Sequence, residues 1–258
     1  MAESSKKMGR REFLCKTPAL LLGSLLGMGI FSKAFAFQPR IALIIDDIGY
    51  SRHRAMPFLD LPIDMTFSIL PKLPKSQELA REIHGLGQEV MLHQPMEPYD
   101  PDLDPGPGAL FVGDAPEKIT RTLDDNISEI PYAVGVNNHM GSRFTASGRE
   151  ISEALLVVKK RDLLFVDSLT SSKSKAYKTA KNLRLPAGVR NTFLDNIHCT
   201  SNVYAQLQRL KRHALHYGQG IGIGHPYPET ATAIGQFIKD IQGSGISFVH
   251  VSRLIEGA

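Results

Sequence analysis

The chain has 258 residues, 42% hydrophobic and 22% charged, with a formal net charge of +4 and two cysteines. That length supports a packed core for one domain, and the cysteine count excludes a disulfide-built scaffold. Residues 1–36 hold six lysines or arginines and two acids, leaving 24 of each sign in the rest, so no electrostatic case for a nucleic-acid partner remains.

The N-terminal 36 residues read as an export signal. Lys6, Lys7, Arg10 and Arg11 precede an apolar stretch from Pro18 to Ile30, and Ala34-Phe35-Ala36 offers a small-x-small cleavage site. Arg10-Arg11-Glu12-Phe13-Leu14 gives it a twin-arginine character. The apolar run is shorter than the roughly 20 residues a membrane span needs, so no stable span is expected after cleavage; an uncleaved anchor is the alternative. The folded part is then residues 37–258, in a periplasmic or otherwise extracytoplasmic compartment. Cys15 lies in the signal, which leaves Cys199 as a single thiol, expected to be buried and inert rather than paired between chains.

Short β-type runs then alternate with helical ones. Strands are expected at 41–46, 65–70, 88–93, 133–137, 163–167, 185–190 (weaker), 220–224 and 246–249. Helices are expected at 77–86, 114–130, 148–161, 173–182, 202–217 and 228–242, with Asp114 as candidate N-cap and Pro116 in the first turn. This rhythm predicts an α/β fold, a small (β/α) barrel of about seven strands, closed or partly open, in a single domain, with a doubly wound sheet as runner-up. Glu97–Gly113 is rich in proline and glycine and is expected to overhang one end of the barrel as a rim or lid.

Polar groups recur where the apolar runs stop. Ile41–Asp47 (I-A-L-I-I-D-D) ends in Asp46 and Asp47; E-V-M-L-H ends in His93; A-V-G-V-N-N-H in His139; L-L-F-V-D in Asp167; and G-I-G-I-G-H in His225. Parallel strands bring their C-termini to one face, which predicts one shared site holding a divalent metal through carboxylate and imidazole. Adjacent carboxylates can divide the work, one on a metal and one on a proton, or can simply cap a loop before Gly49. His139 sits among Asn137, Asn138 and Ser142, a density of polar groups that no strand end requires, and is a candidate metal ligand. Glu97, four residues after His93, is a second acid within reach of the rim. Asp167 either caps the segment after it or hydrogen-bonds a ligand histidine. His225, between glycines and prolines, suits a general acid or base. His213 and His216 read as surface.

The Asp46-Asp47 pair, T-F-S-I-L-P at 66–71, G-Q-E-V-M-L-H at 87–93, N-N-H-M-G-S at 137–142 and I-G-H-P at 223–226 together resemble the divergent branch of the polysaccharide deacetylases, over roughly residues 40–256. The resemblance implies a deformed (β/α) barrel and a zinc-type metal held by an Asp-His-His triad. By position, Asp47 resembles the metal-binding acid, Asp46 the general base, His93 the first ligand histidine and His225 the late general acid. Asp167 falls near the family's later acidic motif. Two departures stand out. Glu97 occupies the place of the second histidine, for which His139 is the substitute, and Asn137-Asn138-His139 replaces an Arg-Pro-Pro-Tyr type motif.

The resulting expectation is a metal-dependent hydrolase that removes acetyl groups from an N-acetylated envelope glycan. Its catalytic groups are Asp46 and His225, its ligands Asp47, His93 and His139, with Glu97, Asn138, Ser142 and Asp167 supporting them or touching substrate. Zinc is the expected metal, although this ligand set suits Co, Ni and Mn as well. Tyr99, Phe111, Phe144 and Tyr227 are the rim aromatics, and the absence of tryptophan gives a polymer little to stack on. A non-catalytic metal- or glycan-binding envelope protein is the alternative, and a phosphodiester hydrolase without a basic rim a more distant one.

Overall fold

The structure is a computed structural model that describes residues 38–255; the export-signal expectation lies outside them. The chain runs β1 (Arg40–Ile48), α1 (Arg52–Leu59), β2 (Thr66–Ile69), α2 (Ser76–Gly85), β3 (Glu89–Met96), α3 (Pro116–Glu129), β4 (Ala133–Met140), α4 (Gly148–Lys160) and β5 (Leu164–Asp167). It continues with α5 (Ala176–Asn182), β6 (Ala187–Val189), β7 (Thr192–Phe193), α6 (Thr200–Tyr217), β8 (Gln219–Gly224), α7 (Pro228–Asp240), β9 (Ser247–Phe248) and α8 (Val251–Ile255). All strand pairs are parallel, in the order β6-β5-β4-β3-β2-β1-β8-β7, and β9 pairs with the start of β1.

The sheet curls into a deformed barrel. Its two ends, β6 and β7, are separated only by Arg190 and Asn191, so the chain itself carries the wall from β5 across to β8. The Asn191 side chain accepts from the Ile221 N–H at 2.7 Å and its own N–H donates to the Ile221 carbonyl, standing in for a ladder rung. Below that point the wall opens into a cleft of about 830 Å³ between β6 and β8, on the side of the barrel.

Strand periodicity sorts residues into two cores. Ile41, Leu43, Ile45, Val90, Leu92, Val136 and Phe165 face outward against the helices. Ala42, Ile44, Met91, Leu164, Val166, Ile221 and Ile223 fill the barrel, and Val251, Leu254 and Ile255 of α8 plug its lower end. Thr66 and Glu89 accept from the N–H groups of Val251 and Ser252, satisfying the first turn of that plug. Gly220, Gly222 and Gly224 turn their side-chain positions toward the helical layer; a Cβ at Gly222 would lie 2.6 Å from the Leu210 Cδ2 atom of α6. Their role is close helix approach.

Several expectations are corrected. Asp114 is not the N-cap of α3, a position taken by Ala115; its carboxylate binds the Phe111 N–H and Lys118 instead. Cys199 is exposed, because it is the N-cap residue of α6 on the surface rather than part of the core. Helix α1 gave no periodic signal since only Ala55 and Phe58 are buried and Pro57 interrupts it. Among the described residues no helix is long and apolar enough to cross a membrane.

Candidate functional site

Because Ala42 and Ile44 face the barrel interior, strand alternation puts Asp46 there too, 3% exposed. Alternation would then send Asp47 outward. A register shift between Ile45 and Ile48 and a left-handed backbone at Asp47 (φ 58°) turn it back, so both carboxylates serve the same site. The same parity brings His93 in from β3, Asn137 and His139 from β4, and His225 from just past β8.

Asp47, His93 and His139 could together hold a metal ion. His139 Nδ1 lies 2.9 Å and His93 Nε2 3.2 Å from Asp47 Oδ1, and the two nitrogens are 3.2 Å apart. Donor atoms on a common ion with bonds of about 2.0–2.1 Å sit roughly 3.0–3.4 Å from each other, so the triangle has the right size. Asp47 Oδ1 is buried and, despite these short distances, makes no hydrogen bond of good geometry among the described residues. Three lone pairs converging on one point is what a cation requires, and the residues present fit one.

Asn137 fixes the chemistry of His93. An ionised carboxylate only accepts, so the amide Nδ2 of Asn137 donates to Asp46 Oδ1 at 2.8 Å, and its oxygen takes the His93 Nδ1 proton at 2.8 Å. That leaves His93 Nε2 with a lone pair directed at Asp47. Burial opposes a charge on His93, yet Asp46, Asp47 and Asn137 outweigh it and raise its pKa. Burial likewise works against ionised Asp47, and His139 and His93 overcome it, holding the carboxyl far below its usual range. Asp46 Oδ2 faces the triad from 3.6 Å, measured to His93 Nε2.

His225 stands on the opposite side, with Nε2 3.8 Å from Asp47 Oδ2. Its Nδ1 is 2.9 Å from Asp195 Oδ1, and Asp195 Oδ2 accepts from the His225 N–H and the Thr230 hydroxyl. Burial alone would favour neutral imidazole. The Asp195 hydrogen bond and the fields of Asp46, Asp47 and Asp195 reverse this and raise the pKa to about 9. The Asp195 bond leaves Nε2 of His225 facing the centre.

Sequence reasoning missed Asn137 and Asp195. Asp195 ends the run Thr192–Asp195 in the same way that the other site residues end theirs, but β7 has two residues and carries no readable alternation. Other nominated residues serve elsewhere. Asp167 lies on the helix side of β5 and accepts from Leu169 N–H, the Ser174 hydroxyl and Tyr177 N–H; it caps the following segment, and Asn137 holds the ligand histidine instead. Glu97 binds the Val112 N–H and Arg143, and Ser142 accepts from the Tyr99 N–H, so both pin the rim loop. Asn138 bridges the Met140 carbonyl and the Ser168 N–H. Phe144 is buried in the outer core and is no rim aromatic.

A family model described as "Divergent polysaccharide deacetylase" matches residues 43–255. An uncharacterized protein of Escherichia coli K12, YibQ, is 30% identical over 217 residues, 84% of this chain and 67% of that protein. The solved structure of an uncharacterized protein of Agrobacterium tumefaciens C58 is similar at 29% identity, with a TM-score of 0.81, covering 84% of this chain and 89% of that one. At 15% identity, the catalytic domain of a peptidoglycan N-acetylglucosamine deacetylase from Eubacterium rectale shares the fold, with a TM-score of 0.53 over 82% of this chain and 88% of that one. A Bacillus anthracis protein described as a "CE4 family pseudoenzyme" shares it at 12% identity, with a TM-score of 0.51 over 84% and 66%.

Proposed function

The chain belongs to the divergent polysaccharide deacetylase family, and from that membership we propose that it is a metal-dependent hydrolase removing acetyl groups from an N-acetylated envelope glycan. The observation that carries the reading is the pairing of His225, held at Nδ1 by Asp195, with the free oxygen of Asp46 across an Asp-His-His triad. A scaffold has no use for an acid and a base poised on either side of such a triad.

Asp47, His93 and His139 are the ligands, and zinc is our choice of metal; when bound, it supplies Lewis acidity to the acetamide carbonyl and to the attacking water. Asp46 takes the proton of that water, and Asn137 keeps its carboxylate turned toward the centre by occupying Oδ1. His225 gives its Nε2 proton to the departing sugar amine, while Asp195 keeps the other ring nitrogen protonated and the ring in place. The products are acetate and a free amine. The N-terminal 36 residues, read as an export signal, would bring the enzyme to the periplasm, where envelope glycans lie.

A non-catalytic binding protein on the same fold is the second reading, favoured by Glu97 standing where the family's second histidine is expected. The two are separated by measuring acetate release from N-acetylglucosamine oligomers by the zinc-loaded chain and by its Asp46→Asn variant. Release in the first and none in the second, with metal retained in both, supports the hydrolase. No release by the metal-loaded wild type leaves only the binding protein.

A further inference from the structure

The cleft of about 830 Å³ in the side of the barrel has two strand edges in it and lies apart from the triad: Gln219, one of its lining residues, begins β8, whereas His225 follows the end of that strand. The ladder between β5 and β6 fixes which backbone groups point into the cleft. The Phe165 N–H donates to the Pro186 carbonyl and the Arg190 N–H to the Asp167 carbonyl, so Pro186, Gly188 and Arg190 turn their bonding groups to β5. Ala187 and Val189 alternate with them and turn both N–H and C=O the other way, into the cleft. Across the gap, the Asn191 N–H donates to the Ile221 carbonyl and the Leu194 N–H to the Ile223 carbonyl, which places the N–H and C=O of Gln219 on that same edge of β8. The strands part below the Asn191–Ile221 rung, and among the described residues neither edge has a strand partner there. Ala187, Val189 and Gln219 are all partly exposed.

An unpaired edge is a template for another strand, and proteins ordinarily cover it or place charges on the strand itself. Here the edge strand β6 is Ala187-Gly188-Val189 and carries no charge. The way to it is open: Tyr177 and Lys181 line the cleft from α5, and Tyr217, 66% exposed, lines it from α6. The charge of the cleft is one-sided. No carboxylate is among its lining residues, while Lys181 and Arg184, from the end of α5 and the turn after it, are both exposed. Among the described residues neither of these two makes an ion pair or a side-chain hydrogen bond. Outward-facing side chains of an added strand would lie on the α5 side, beside these cations. Inward-facing ones would continue the apolar barrel lining that includes Val166 and Ile221.

We propose that the cleft is a docking site for an extended acidic segment of a partner protein, which adds as a strand to the free edge of β6. Its main chain pairs with Ala187 and Val189, acids at alternate positions meet Lys181 and Arg184, and small apolar residues between them face the barrel. The site stands whichever reaction the triad performs.

The test uses the full chain and three fluorescein-labelled hexapeptides, read by anisotropy: alternating Glu-Val, alternating Lys-Val, and the Glu-Val peptide with every amide N-methylated. The last keeps the charge and removes the main-chain donors. The wild type is expected to bind the first peptide and to bind each of the others about tenfold more weakly, the scale of one or two lost hydrogen bonds. On binding, hydrogen exchange at the Ala187 and Val189 amides should slow, which charge attraction alone would not produce. In the double variant Lys181→Glu, Arg184→Glu the preference for Glu-Val over Lys-Val should vanish or reverse, with the thermal midpoint unchanged because both side chains are exposed. Equal binding of the methylated and parent peptides would assign the cleft to a compact anion and overturn strand addition. No binding of the Glu-Val peptide, or an undiminished preference in the double variant, would overturn the site itself.

Discussion

Asp195 Oδ1 lies 2.9 Å from His225 Nδ1, joining two residues 30 positions apart across β7 and β8. Asp195 is 1% exposed and its other oxygen is filled by the His225 N–H and the Thr230 hydroxyl. The pair is a rigid unit in which only the Nε2 side of the imidazole meets the centre.

From this unit a pH dependence follows. The folded His225 pKa of about 9 is above the ordinary 6.5, so its contribution to stability is fully present below about 6.5 and is lost as pH rises through about 9. In metal-free protein the His225 ring resonances should titrate near 9, and in Asp195→Asn at clearly lower pH. An unchanged titration in that variant would remove Asp195 from the account.

Metal content separates the ligands from their neighbours. The wild type should take up about one equivalent of zinc, and His93→Ala and His139→Ala should each lose it, whereas Glu97→Gln should keep it because Glu97 is engaged with Val112 and Arg143. Elemental analysis after dialysis gives the answer; retention by His139→Ala would move the third ligand elsewhere.

Asn137→Ala strips a partner from both His93 Nδ1 and Asp46 Oδ1 in a fully buried setting. Zinc affinity should weaken by about 10–100-fold, as for other groups that orient a ligand histidine, and stability should drop by about 1–3 kcal/mol. Competition with a chelator and urea unfolding measure the two effects. Wild-type zinc affinity in the variant would leave Asn137 a packing residue only.

Cys199 gives a prediction remote from the centre. The Ser201 hydroxyl first, then the N–H groups of Ser201 and Asn202 at the start of α6, lower its thiol pKa to about 7. Alkylation by iodoacetamide should therefore reach half its limiting rate near pH 7, and Ser201→Ala should shift that midpoint upward. A midpoint near 9 in the wild type would contradict the arrangement.

Gly222→Ala should destabilise the fold without touching the site. Its Cβ would overlap Leu210 Cδ2, and the cost of such overpacking is about 1–3 kcal/mol. Thermal unfolding of the metal-free protein reads this directly; an unchanged midpoint would mean that α6 yields without cost.

The alternation of short apolar runs and helical stretches determined the parallel α/β barrel, because each strand buried on both faces leaves a continuous hydrophobic signature. It likewise exposed Asp46, Asp47, His93, His139 and His225, since a polar residue ending such a run breaks the pattern visibly. Tertiary structure decided the rest. Whether Asp47 faces the barrel depends on a one-residue bulge in β1. Asp167 and Asp195 both end apolar runs, and strand parity alone sends the first to the helices and brings the second to His225. Asn137 looks like one polar residue among several until its two hydrogen bonds to His93 and Asp46 are seen. Sequence records which residues are polar at a strand end, while the direction each one points is fixed by register and bulges, which are properties of paired strands and not of any one segment.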